Sequence, residues 1–129
     1  MMRTNRSARQ AGARFESGIA YYLRRIIGDD RIERRAKNGK KDRGDITGVL
    51  FRGRRVVIEC KDCARLTLAE WVKEAETEAG NDDAPFYMVV HKRKKVADPG
   101  EQYVTMPLKV VAAMLALDPG VLEVERDGK

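Results

Sequence analysis

The chain has 129 residues, 43% hydrophobic and 36% charged, with a formal net charge of +6. That length suits a single domain, 1–129, with one core. No apolar run approaches the roughly 18–20 residues of a membrane span, and no apolar stretch follows the basic start from Met1 to Arg14. These features argue against a membrane protein or a secreted one, and for a soluble protein of the cytoplasm, in its own cell or, if phage-encoded, in a host cell. The charge is uneven: residues 1–65 hold 18 Lys/Arg against 8 Asp/Glu, residues 66–90 hold 1 against 6, and residues 91–129 hold 7 against 6. A basic half with an acidic back suits a polyanion such as nucleic acid as partner.

In chain order, residues 1–8 read as a flexible basic arm. From about Arg9 to Ile27, the residues Phe15, Ile19, Tyr22 and Ile26 recur at helical spacing, and Gly28-Asp29-Asp30 ends the helix. Arg31 to Ala36 is a short strand, and the basic stretch from Lys37 to Gly44 a turn-rich loop. Asp45 to Phe51 and Arg55 to Lys61 read as strands joined by Arg52-Gly53-Arg54, hence an antiparallel hairpin. Thr67-Leu68-Ala69-Glu70 has the form of a capping box, opening a helix with Leu68, Val72, Ala75 and Ala79 as its apolar stripe. Most of the helix's glutamates, among them Glu78, fall outside that stripe. Pro85 to His91 is a continuous apolar strand, Gln102 to Thr105 a short one, and Pro107 opens a last helix through Leu117. Residues 121–129 form a frayed tail. The predicted class is α/β, with a central mixed β-sheet flanked by helices in the order α-β-β-β-α-β-β-α. The crossover through the capped helix makes the strands on either side of it parallel.

The chemistry concentrates at Glu59-Cys60-Lys61, fourteen residues after the Gly44-Asp45 step. Alternation puts Val57, Glu59 and Lys61 on one strand face. Asp45 lies eight residues before Gly53 and Lys61 eight after it, so a hairpin turning there brings Asp45 beside the Glu59/Lys61 end. Two nearby carboxylates repel until a proton or a cation settles between them. Mg²⁺ favours such oxygen ligands and keeps room for water and phosphate. Lys61 is placed to orient a water or to balance charge on phosphorus. Acids, lysine and cation together suit phosphodiester hydrolysis. Cys60 and Cys63 form a lone C-x-x-C without the four ligands of a structural zinc site, and are expected to be plain thiols. Trp71 is expected in the core or at a dimer contact, and His91 is not expected to act as a base.

Asp45 with Glu59-Cys60-Lys61, and the α-β-β-β-α-β order over roughly residues 10–92, resemble the PD-(D/E)xK nuclease superfamily. Gly44 stands where the name of that motif has proline. The size and opening helix are most similar to archaeal-type and phage-type Holliday junction resolvases. There a glycine-containing turn precedes an acid of the metal site, a pattern that Gly12-Ala13-Arg14-Phe15-Glu16 fits. The resemblance implies a restriction-endonuclease-like core and a Mg²⁺-dependent endodeoxyribonuclease, Mn²⁺ being able to substitute. It implies catalytic roles for Glu16, Asp45, Glu59 and Lys61, with the cation held by Asp45, Glu59, the Cys60 backbone carbonyl and Glu16. It further implies a homodimer acting on a four-way junction or other branched DNA, in recombination or repair. The basic residues expected on DNA are Arg34, Arg35, Lys37, Lys40, Lys41 and Arg43, then Arg65, Lys92 and Arg93. The alternatives are another structure-specific endonuclease of this fold (flap, nicking or repair) and a non-catalytic DNA-binding protein.

Overall fold

The computed structural model describes residues 4–35 and 43–116. Lys37, Lys40, Lys41 and the tail 121–129 fall outside them. The first helix, α1, spans Asn5–Ile27 and so begins inside the stretch expected to be an arm. The reason is a cap: the Thr4 hydroxyl accepts from the Ser7 N–H at 3.0 Å, which satisfies one orphan donor of the first turn. At the other end Gly28, at φ +78°, donates its N–H to the Arg24 carbonyl. Ala11, Ile19 and Ala20 are buried, with Phe15 and Leu23 packed alongside, but Ile26 is exposed. The last turn therefore runs past the sheet, and the expected stripe ends one turn early.

Among the described residues, six strands follow the α/β plan: β1 (Glu33–Arg34), β2 (Ile46–Thr47), β3 (Leu50–Phe51), β4 (Arg54–Lys61), β5 (Phe86–His91) and β6 (Tyr103–Thr105). They form a mixed sheet in the order β1-β2-β4-β5-β6, with β3 also paired to β4. The second helix, α2 (Leu68–Asn81), makes the crossover between the parallel strands β4 and β5. A short 3₁₀ turn, Pro99–Glu101, precedes β6, and α3 (Leu108–Ala116) closes the described chain.

The strand expected from Asp45 to Phe51 is broken in two. Gly48 sits at φ +88°, and a Cβ there would lie 2.4 Å from the Arg31 carbonyl oxygen. Only glycine lets the backbones of these segments approach so closely. Beyond the break, β3 turns into β4 through Arg52 at φ 53° and Gly53 at φ 77°, both left-handed, as a tight two-residue hairpin requires.

The core is built from both sheet faces. Phe86, Ile32, Ile46, Val57, Val89 and Val110 are its largest fully buried side chains, and Phe51 meets Phe86 edge to face at 5.6 Å. Lys61 pairs with Glu74, and the Trp71 and His91 rings lie 5.9 Å apart, so α2 covers the Glu59/Lys61 face. Helix α1 packs against β1 and β4. Its Glu16 acts on the Cys60 thiol, which by strand alternation lies on the opposite face.

Two further expectations are corrected in α2. Thr67 occupies the N-cap position, but its side chain makes no capping hydrogen bond, its φ/ψ of −132°/63° lying outside the usual extended geometry. The buried stripe runs through Trp71, Ala75, Glu78 and Ala79, while Leu68 is exposed. The large indole takes the position nearest the sheet and rotates the helix about its axis. Among the described residues, no helix is long and apolar enough to cross a membrane.

Candidate active site

Asp45 is held at the edge of β2 by its backbone. Its N–H donates to the Ile58 carbonyl at 3.0 Å, and its carbonyl accepts from the Arg35 N–H at 2.8 Å. The preceding Gly44, at φ +99°, fits where a Cβ would come within 3.0 Å of Val57 Cγ1. The Asp45 side chain is 2% exposed, and its Oδ2 accepts from the Cys60 N–H at 2.7 Å. A side-chain oxygen thus takes the place of a ladder partner and pins the carboxylate to the middle of the E-x-K triplet.

The register differs from the symmetric one expected. Ile46 pairs with Ile58, which sets Asp45 beside Glu59 and not across from Lys61. Two local features cause the shift. The turn has two residues, since Phe51 pairs with Arg54, and the Gly48 break inserts one extra residue between the 46/58 and 50/55 pairs.

Glu59 is 5% exposed, and its Oε1 is buried without a hydrogen-bond partner. Burial raises its pKa from 4.5 to about 7. A hydrogen bond with Asp45 and the Lys61 charge oppose the rise, while the charge and hydrogen bond of Glu78 add to it. Lys61 Nζ lies 3.4 Å from Glu59 Oε2 and 2.7 Å from Glu74 Oε2. Burial disfavours the ammonium, but the hydrogen bond to Glu74 and the Glu59 charge outweigh it and hold Lys61 above its ordinary range. Lys61 is a fixed cation here and cannot serve as a base at neutral pH.

Glu78 is the residue that sequence reasoning missed. It is 4% exposed on α2 and meets Glu59. The signal that could have found it was Trp71: a stripe started there has Ala75 at i+4 and Glu78 at i+7.

Glu16 faces the sheet from α1, and its Oε2 accepts from Arg34 Nε at 2.7 Å. Its charge reaches the Cys60 thiol, whose pKa is pushed up by burial first and by the charges of Asp45 and Glu16 next. Cys60 is therefore a neutral buried thiol; Cys63 is exposed, and both are free. His91 Nε2 is 2.8 Å from Thr105 Oγ1, and burial lowers the imidazole's pKa.

The basic residues divide. Arg43 and Arg65 are exposed near the two ends of the site segment. Arg35 is turned inward, with Nη2 3.4 Å from Asp82 Oδ2. Arg93 stacks on Tyr103 at 4.3 Å and donates to the Glu101 carbonyl, and Lys92 Nζ donates to the Arg93 carbonyl.

The donor set is one of carboxylate oxygens, which suits a hard divalent cation rather than a soft one. The orphaned, buried Glu59 Oε1 is the observation that fits such an ion. Among the described residues, no three His, Cys, Asp or Glu side chains stand in a ligating cluster. No family model matches the chain, and neither a curated protein nor a solved structure does.

Proposed function

We propose that the chain is a metal-dependent DNA endonuclease with a restriction-endonuclease-like, PD-(D/E)xK core, acting on branched DNA in the manner of a Holliday junction resolvase and working as a homodimer. The observation that carries the reading is the buried pair Asp45 and Glu59, with one Glu59 oxygen unsatisfied and the Lys61 ammonium 3.4 Å away. A buried carboxylate left partly unsatisfied is costly unless something occupies it in the working state.

Asp45, Glu59 and the Cys60 carbonyl would hold the cation, while Glu16 sits on the α1 face in its ion pair with Arg34. When bound, Mg²⁺ or Mn²⁺ would supply Lewis acidity at the scissile phosphate and a lowered pKa for water. The protein's own contribution is positional and electrostatic. The Cys60 N–H orients Asp45. Lys61, permanently charged, stabilises negative charge on the phosphate oxygens. Glu74, whose side chain is half exposed, is the partner that a phosphate would replace. Arg43 and Arg65, both exposed, would bind the DNA backbone, with recognition following shape rather than base sequence.

The test is a cleavage assay on a labelled immobile four-way junction, a flap and a plain duplex, with Mg²⁺ or with EDTA. Paired symmetric nicks on the junction alone are expected, absent in EDTA and in Asp45→Asn, with junction binding retained or tightened. Cutting of flap or duplex to the same extent would leave a nuclease and reject the resolvase. A second reading, a DNA-binding protein without catalysis, draws on the ties of Lys61 to Glu74 and of Glu16 to Arg34, which satisfy both groups without a ligand. Tight junction binding with no cation-dependent cutting would favour it.

A further inference from the structure

On the α1 face of the sheet, opposite the Glu59/Lys61 face, lies a cavity of about 350 Å³. It opens where the parallel strands β4 and β5 end, between α1 and the loop that leads to β6. Asp62, which directly follows Lys61, and Lys92, which directly follows β5, both line it. Carboxyl ends of parallel strands are the usual ligand position in α/β sheets. The volume falls in the range of roughly 300–1,000 Å³ typical of small-ligand sites.

The walls are apolar with a charged margin. Phe15, Ile19, Ala97 and Pro99 supply carbon surface, while Arg14 and Lys92 supply two positive charges against the one negative charge of Asp62. A flat ring that carries a phosphate matches this combination: the ring stacks against Phe15 and the apolar wall, and the phosphate meets the cations.

The outer wall is rigid. Gln102, buried at the base of the loop, accepts from the Arg93 N–H and donates to the Val96 and Asp98 carbonyls. Asp98 caps the 3₁₀ turn by accepting from the Gly100 N–H at 2.9 Å. Gly100 lies under the Tyr22 ring so closely that a Cβ would approach the phenol oxygen to 2.8 Å. The loop is thus locked to α1, and the cavity is preformed.

The inner wall contains Gly18, in the middle of a 23-residue helix, where glycine is unfavourable. A Cβ at Gly18 would meet nothing within 4 Å. Packing therefore does not demand glycine there; its effect is to leave the cavity open.

We infer that this cavity is a nucleotide subsite that receives one unstacked base of the bound DNA. The inference rests on the nuclease reading. Branched DNA offers such a base cheaply, because stacking is already broken at the branch.

The test separates the two claims. Gly18→Leu fills the cavity and favours the helix, whereas Gly18→Ala leaves most of the space. Without divalent cation, backbone amide NMR shifts are followed on titration with dAMP, deoxyadenosine and inorganic phosphate. Expected is saturable dAMP binding that moves Phe15–Ile19 and Lys92–Ala97, weaker binding of each fragment alone, and a loss of about tenfold or more in Gly18→Leu but not in Gly18→Ala. Equal dAMP binding by wild type and Gly18→Leu, or no saturable binding, would overturn the inference. On a junction with 2-aminopurine at the branch, fluorescence should rise on binding to wild type and not to Gly18→Leu. If junctions are cut and that rise persists in Gly18→Leu, the subsite falls and the nuclease stands. If dAMP binds as expected and no DNA is cut, the nuclease falls and the nucleotide site stands.

Discussion

Glu59 is a carboxyl group that the fold holds at a cost. Its folded pKa of about 7 lies above the 4.5 of an unburied glutamate, so the folded state binds more protons than the unfolded one between those values. The stabilising contribution is full below pH 4.5 and is lost as pH rises through 7, an effect of at most about 3 kcal/mol. In EDTA the melting temperature should therefore fall over that window, and Glu59→Gln should flatten the fall while abolishing cleavage. A pH profile unchanged by Glu59→Gln would show that another group sets it. Because Glu78 raises the Glu59 pKa, Glu78→Gln should move the midpoint of the fall to lower pH, read in the same melts. The importance of Glu59 was legible in the sequence from the E-x-K triplet at period two. That of Glu78 was not, because helix rotation is set by the bulkiest side chain facing the sheet, here Trp71, and not by the apolar spacing that starts at Leu68.

At the scale of elements, two glycine-related positions decide the register that brings Asp45 to Glu59. Gly48→Ala would press a Cβ to within 2.4 Å of the Arg31 carbonyl and demand a left-handed alanine. It should cost about 2 kcal/mol or more, measured by urea denaturation, and weaken cation binding with it. Arg52 holds a left-handed φ of 53° in the β3–β4 turn, a conformation that asparagine tolerates better. Arg52→Asn should raise stability by about 0.5–1 kcal/mol with activity unchanged. The hairpin itself was readable from two β-rich runs around Arg52-Gly53-Arg54. The one-residue insertion at Gly48 was not, since its cause is the backbone of Arg31–Ile32, a neighbour in space and not in sequence. The same holds for the start of α1: a Thr4–Ser7 cap was present in the residues, but the run of Arg and Ser that follows lacks the apolar period that marks a helix.

Across the whole molecule, the DNA binding proposed above should be strongly salt-dependent, because half of the chain is basic. Arg43→Ala with Arg65→Ala should lower the slope of log affinity against log salt by about one for each phosphate no longer neutralised, whereas Arg35→Ala should act mainly on stability through Asp82. An unchanged slope in the double variant would place the DNA on another face. The α/β class, the parallel β4–β5 pair and the Asp45/Glu59/Lys61 set follow from local pattern: apolar runs of strand length, a helix between them, and charged residues interrupting a buried strand. Burial and sequence-distant neighbours were left to the tertiary structure. Arg34 and Arg35 look alike in the chain, yet one meets Glu16 and the other Asp82. The cavity beside Gly18 likewise exists only because a loop far along the chain is pinned to the same helix. Periodicity reports which face of an element is apolar, but which groups meet across that face depends on how distant elements pack, and that packing raises the Glu59 pKa and ties Lys61 to Glu74.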